Sequence, residues 1–175
     1  MEEATRAVDI VATHDHLLKA IGDVVVSFQQ IELWISEALA KDLGLKVLEE
    51  RYLVLSAMSF RQKVDLLMEL FPRKRMHMRG VDMALVRKAF RAAEEYRNTI
   101  VHSVWAVDGD RGWTRNKGSL RKKSGFSVVS ETAQVEALEA AAAALRTVRD
   151  WEIAEAQQLE DAIRVLSFGD DWSGT

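Results

Sequence analysis

The chain has 175 residues, 48% of them hydrophobic and 29% charged, with one proline and nine glycines, so it holds enough apolar material for one domain with its own core and is not a disordered or low-complexity chain. Cysteine is absent, which excludes disulfides, thiolate zinc sites and a thiol nucleophile and fits a reducing compartment. The net charge of -3 conceals an asymmetry: residues 73–123 hold fourteen Lys/Arg against five Asp/Glu, whereas residues 1–50 hold four against ten and residues 124–175 three against ten.

The N-terminus, Met1-Glu2-Glu3-Ala4-Thr5-Arg6, carries no apolar signal core, and no run is long enough to span a membrane, so a single cytoplasmic domain is expected over residues 1–175 with its core at about 10–168. From about His14 to Leu43, Leu18, Ile21, Val25, Phe28, Ile35 and Leu39 recur at spacings of three and four and predict a long amphipathic helix, with Asp15 able to cap its start. Glu32 falls on that seam, where a carboxylate needs a cationic or hydrogen-bonding partner. Asp42-Leu43-Gly44 is a helix stop, residues 46–56 fit a short helix, and Ser59-Phe60-Arg61-Gln62 matches a capping box opening a helix with Phe60, Val64, Leu67 and Leu70 on one face and Pro72 at its end.

Arg73-Lys74-Arg75-Met76-His77-Met78-Arg79-Gly80 is a basic connector, either a solvated loop or a phosphate contact. The next helix is expected from Val81 to about Val101, with Val86, Phe90, Ala93 and Ile100 on a seam whose remaining member is Arg97. A lone carboxylate on one seam and a lone guanidinium on another satisfy each other, so Glu32 and Arg97 are expected to pair inside the bundle.

Residues 103–130 change character. Ser103-Val104-Trp105-Ala106-Val107 and Gly125-Phe126-Ser127-Val128-Val129 are β-prone runs around a Gly- and Lys/Arg-rich middle and predict a two-stranded hairpin. Arg111, Trp113, Arg115, Lys117, Arg121, Lys122 and Lys123 interleave cations with an aromatic, a composition that suits single-stranded nucleic acid as well as a solvated loop. From Glu131 to Phe168 there is neither Pro nor Gly, and the apolar positions predict one helix of about 55 Å at ~1.5 Å per residue, or two nearly collinear ones, part of which would pack on a second subunit. Gly169 to Thr175 reads as a frayed tail.

The stretch that can carry chemistry is Arg97-Asn98-Thr99-Ile100-Val101-His102. On a helix Asn98 and His102 share a face, with Arg97 about 100° round from Asn98. An imidazole moves protons near neutrality, a guanidinium forks onto phosphate oxygens, and an amide orients either. RNA brings its own nucleophile, the 2′-hydroxyl, so proton transfer and stabilisation of a phosphorane suffice. His14, His16 and His77 are expected at the surface; no His-x-x-x-His, Glu-x-x-His or glycine-rich phosphate loop is present, so no metal site or cofactor is expected.

Arg97-Asn98-x-x-x-His102 resembles the Arg–polar–x-x-x–His signature of the HEPN superfamily, and its place late in a helix between long terminal helices is similar too. The resemblance covers residues 10–168 apart from 103–130, which stand as an insertion. It implies an all-α, HEPN-like bundle of four to five helices with a hairpin insertion. It further implies a homodimer in which two motifs form one metal-independent endoribonuclease site, of the kind found in toxin–antitoxin or defence systems, with RNA as substrate and an antitoxin or regulatory protein as cognate partner. On that reading His102 is the acid–base residue, Arg97 the phosphate-stabilising cation and Asn98 the orienting amide. Glu32, Tyr96 and Trp105 stand in support, Trp105 shaping the site, and RNA contacts fall to Arg73, Lys74, Arg75, Arg115, Lys117, Arg121, Lys122 and Lys123. The rival reading is a non-catalytic module that binds protein or RNA, such as a regulatory or antitoxin subunit, with Arg97 and Glu32 a buried pair and His102 closing the helix.

Overall fold

The computed structural model describes residues 2–74, 82–108, 112–121 and 125–167, and side chains within 14–71, 73, 82–108, 112–118 and 128–167. Its order is α1 (Glu2–Leu43), α2 (Leu48–Ser56), α3 (Phe60–Lys74), α4 (Met83–Val101), β1 (Val104–Asp108), β2 (Gly112–Arg121), β3 (Gly125–Thr132), α5 (Val135–Arg149) and α6 (Ala156–Ser167). The fold is therefore mostly helical, with six helices among the described residues where four or five were expected, and carries a small antiparallel sheet.

The spine is α1, which begins well before His14, so Asp15 lies inside it and caps nothing. Its seam buries Leu17, Val24, Phe28, Ile31, Ile35 and Leu39 against α3, α4 and α5. The stop at Gly44 is a Schellman closure: Gly44 has φ +72, its N–H donates to the Lys41 carbonyl at 3.2 Å, and the Leu45 N–H donates to that of Ala40 at 2.9 Å. The capping box holds as read, with the Ser59 N–H donating to Gln62 Oε1 at 2.8 Å and the Gln62 N–H to Ser59 Oγ at 3.3 Å. The helix it opens runs two residues past Pro72. Asp82 caps α4 by accepting the N–H groups of Ala84 and Leu85.

The expected hairpin is a three-stranded meander, β1-β2-β3, whose third strand extends to Thr132. Nor is the last segment one long helix. The chain turns after Arg149, where the Ile153 and Ala154 N–H groups both donate to the Asp150 carbonyl, and α6 packs back on α5 and α4. Trp151 makes that turn part of the core. It is 1% exposed and meets Trp34 edge-on at 5.6 Å, Phe71 at 5.1 Å and Phe90 at 6.4 Å between ring centroids. The length argument for a second subunit therefore falls away. No helix among the described residues is long and apolar enough to cross a membrane.

Candidate functional site

The motif lies on the last turn of α4, and the sequence builds that turn from both sides. Val86, Phe90, Ala93 and Ile100 are buried as the seam requires, which fixes the rotation of the helix and turns Arg97 toward α1. Beyond Val101 the helix ends in side-chain caps. Ser103 Oγ donates to the Thr99 carbonyl at 2.6 Å and the Trp105 indole N–H to that of Ile100 at 3.2 Å, satisfying acceptors that the last turn leaves open. His102 is the closing residue, its N–H still donating to the Asn98 carbonyl at 3.0 Å and its side chain exposed.

Arg97 does not meet Glu32. Its Cζ stands 5.2 Å from the centroid of the Phe28 ring on α1, and its Nη1 donates to Asn98 Oδ1 at 2.9 Å. Its Nε is buried without a hydrogen-bond partner. Glu32, one turn beyond Phe28, instead accepts from Lys63 Nζ at 2.9 Å. The reason is positional: Lys63 lies on the apolar stripe of α3 between Phe60 and Leu67 and is itself buried, so a nearer cation takes the carboxylate. A lysine on an apolar stripe is the same kind of signal as Glu32, and reading it would have found the pair.

Tyr96, assigned a supporting role, is buried, and its hydroxyl is pushed up to about 12, chiefly by burial, with the nearby Arg115 charge working in the opposite direction. It keeps its proton at neutral pH and exchanges none. Trp105 closes α4 through its indole N–H, and with Tyr96 and Arg115 it lines a small void beside Thr132 to Gln134 and Leu138.

Of the cations assigned to RNA, Arg115 is corrected. It is buried and bonded through Nη2 to the Glu131 carboxylate across β2 and β3, so it fastens the sheet. Arg73 is exposed at the end of α3. Lys74 and Arg121 belong to described backbone, but their side chains, together with Arg75, Arg111, Lys122, Lys123, His77 and the tail from Gly169, lie outside the described residues.

Lys117 reaches from β2 to the motif helix, where its Nζ donates to Thr99 Oγ1 at 3.2 Å. A buried threonine on a helix, as Thr99 is, carries no signal of its own in the sequence. A second tie joins sheet and helices: His14 on α1 stacks on Trp113 of β2, centroids 5.1 Å apart and planes 19° from parallel. His14 is thus part of the packing, whereas His16 is exposed as expected. Much of the outer basic surface is paired, since Arg61 bonds to Glu94 at 2.8 Å and Arg87 and Arg91 each approach Asp65 at 3.8 Å. Arg97 and Lys117 both reach the end of α4, the first bonded to Asn98 and the second to Thr99.

Compared with protein-family models, curated proteins and solved structures, the chain matches none. Its site is read from its own residues. Among the described residues, no group of three or more His, Asp or Glu side chains is placed to hold a metal ion.

Proposed function

We propose that the chain is a HEPN-like endoribonuclease whose active site is completed when two copies bring their α4 ends together. One observation carries the reading. Arg97 has no carboxylate partner among the described residues, being held by Phe28 and Asn98, and stands on the same helix end as the exposed His102. A guanidinium neutralised by Glu32 would have little left to offer a phosphate; the Lys63–Glu32 pair removes that objection.

The chemistry asked of these groups is modest. A general base takes the proton of the 2′-hydroxyl as its oxygen attacks the adjacent phosphorus. A general acid returns a proton to the departing 5′-oxygen, and the product is a 2′,3′-cyclic phosphate. One His102 from each copy supplies base and acid, Arg97 stabilises the charge that builds on the phosphoryl oxygens, and Asn98 Oδ1 holds the guanidinium in place. A dimer also has surface to form on: Leu18, Val26 and Leu33 on the outer side of α1 and Leu48, Tyr52 and Leu53 on α2 are each more than half exposed. The toxin or defence setting, with its cognate antitoxin, belongs to the resemblance alone.

The test is cleavage of mixed RNA by the wild type and His102→Ala, both in excess chelator, with dimer mass followed by light scattering. Cleavage by the wild type alone, leaving cyclic-phosphate ends, is the expected result, and His102→Ala should fold normally because its side chain is exposed. A folded wild-type dimer that leaves every RNA intact selects the second reading, a non-catalytic binding module, which the apolar surface of α1 and α2 also favours.

A further inference from the structure

Five side chains on three helices meet behind the motif. On α1, Phe28 and Glu32 are one turn apart and stand one above the other; on α3, Phe60 and Lys63 repeat that arrangement. The two rings meet with centroids 4.9 Å apart and the two charges at 2.9 Å. Arg97 closes the cluster from α4, its Cζ 5.2 Å from the Phe28 centroid. One carboxylate and two cations therefore gather round one turn of α1, and the carboxylate goes to Lys63. The two cations differ in access. Lys63 is buried, whereas Arg97 is half-buried and, among the described residues, hydrogen-bonded only to Asn98. The Glu32 side chain is 35% exposed, which leaves it room for another rotamer.

Resting on the endoribonuclease reading, we infer that Lys63 is a positioning residue that keeps Arg97 available to an RNA phosphate by holding Glu32 away from it. Without Lys63 the carboxylate is left with an unpaired charge, and the guanidinium seated on Phe28, one turn back along α1, is the partner a change of rotamer brings to it. An arginine forked onto a carboxylate has committed the N–H groups that a phosphate would take. Lys63, buried against α1, offers no contact to the strand and acts through Glu32 alone. The lysine in the apolar stripe of α3 thus has a use beyond stability, since an uncharged pair of similar volume would fill the same space without burying charge.

The experiment measures binding of a mixed-sequence 2′-O-methyl octanucleotide, which has no 2′-hydroxyl to react, by fluorescence anisotropy across a range of salt concentrations. Every variant is first checked for wild-type circular dichroism. Lys63→Met should weaken binding about tenfold near 0.1 M salt and lower the salt slope by about 0.7, the value for one phosphate contact on a single strand. Lys63→Gln, which keeps an N–H donor for the carboxylate and should fold even where the methionine variant does not, should show a smaller loss in the same direction. Adding Glu32→Gln to Lys63→Met should restore affinity and slope although the lysine is still missing. Arg97→Met should show the full deficit by itself, and adding Lys63→Met to it should lose nothing more. Wild-type affinity and slope in the folded Lys63 variants overturn the inference. So does a deficit that Glu32→Gln leaves in place, which would make Lys63 a contact or a prop, and so does an additive loss with Arg97→Met, which would make Glu32 a general repulsion. No binding by the folded wild type overturns the RNA reading itself and this assignment with it, whereas normal RNA binding that ignores Lys63 overturns this assignment alone.

Discussion

Tyr96 shows how one buried hydroxyl reports on the packing behind the motif. Its proton is held to about pH 12 by burial, against about 10 in an unfolded chain. Between those values the folded state keeps a proton that the unfolded state has lost, so stability is fully present below pH 10 and declines as pH rises through 12. A two-unit shift corresponds to about 2 to 3 kcal/mol. Unfolding in urea at pH 9 and pH 11.5 should show that loss in the wild type, over and above the loss in Tyr96→Phe, which has no proton to give up. Equal pH dependence in the two proteins would mean that the ring's edge is wetter than its burial implies. At this scale the sequence was legible where a single residue violated a pattern, as Glu32 and Arg97 did. It misled where the pairing depended on which helices sit nearest, and Lys63, an equal violation on α3, decided the matter.

Two helix boundaries were readable because each has local chemistry, Gly44 at a left-handed stop and Ser59 with Gln62 in a reciprocal cap, whereas the expected starts at His14 and Val81 missed the true start of α1 and the Asp82 cap of α4. The break between α5 and α6 has neither Gly nor Pro to announce it. Its signals are weaker: the Arg149 guanidinium bonded twice to its neighbour Asp150, at 2.7 and 2.8 Å, and the Glu155 N–H donating to Gln158 Oε1 at 2.8 Å, half of a capping box. What fixes the turn is burial of Trp151 among Trp34, Phe71 and Phe90, a tertiary fact that helical periodicity does not encode. Trp151→Ala should therefore cost about 3 to 5 kcal/mol, seen as a lower urea midpoint at unchanged slope. Ile153→Ala, two residues away and 86% exposed, should change almost nothing. Comparable losses at both positions would move the anchor of the turn away from the indole.

For the whole molecule, segregated charge in the sequence foretold a basic middle, but folding consumes part of it: Arg87, Arg91 and Arg115 all face carboxylates. The sheet's place beside α4 was not legible, because it is set by contacts between residues far apart in the chain, His14 with Trp113 and Thr99 with Lys117. The assembly the proposed site needs is testable on the same scale. A nine-residue helix is marginal by itself, and α2 buries only Leu55 while leaving Leu48, Tyr52 and Leu53 in solvent. Beside it, Leu33 on α1 is 61% exposed. Covering each such side chain contributes roughly 1.5 to 3 kcal/mol, and in a two-fold dimer every substitution acts twice. Leu33→Glu combined with Leu53→Glu should thus convert the proposed dimer to a monomer of unchanged helix content. If the site is composite, RNA cleavage should vanish with dimerisation although Arg97, Asn98 and His102 are untouched. A double variant that stays dimeric would place the interface elsewhere, and a monomer that cleaves as well as the wild type would show that a single α4 end carries the whole reaction.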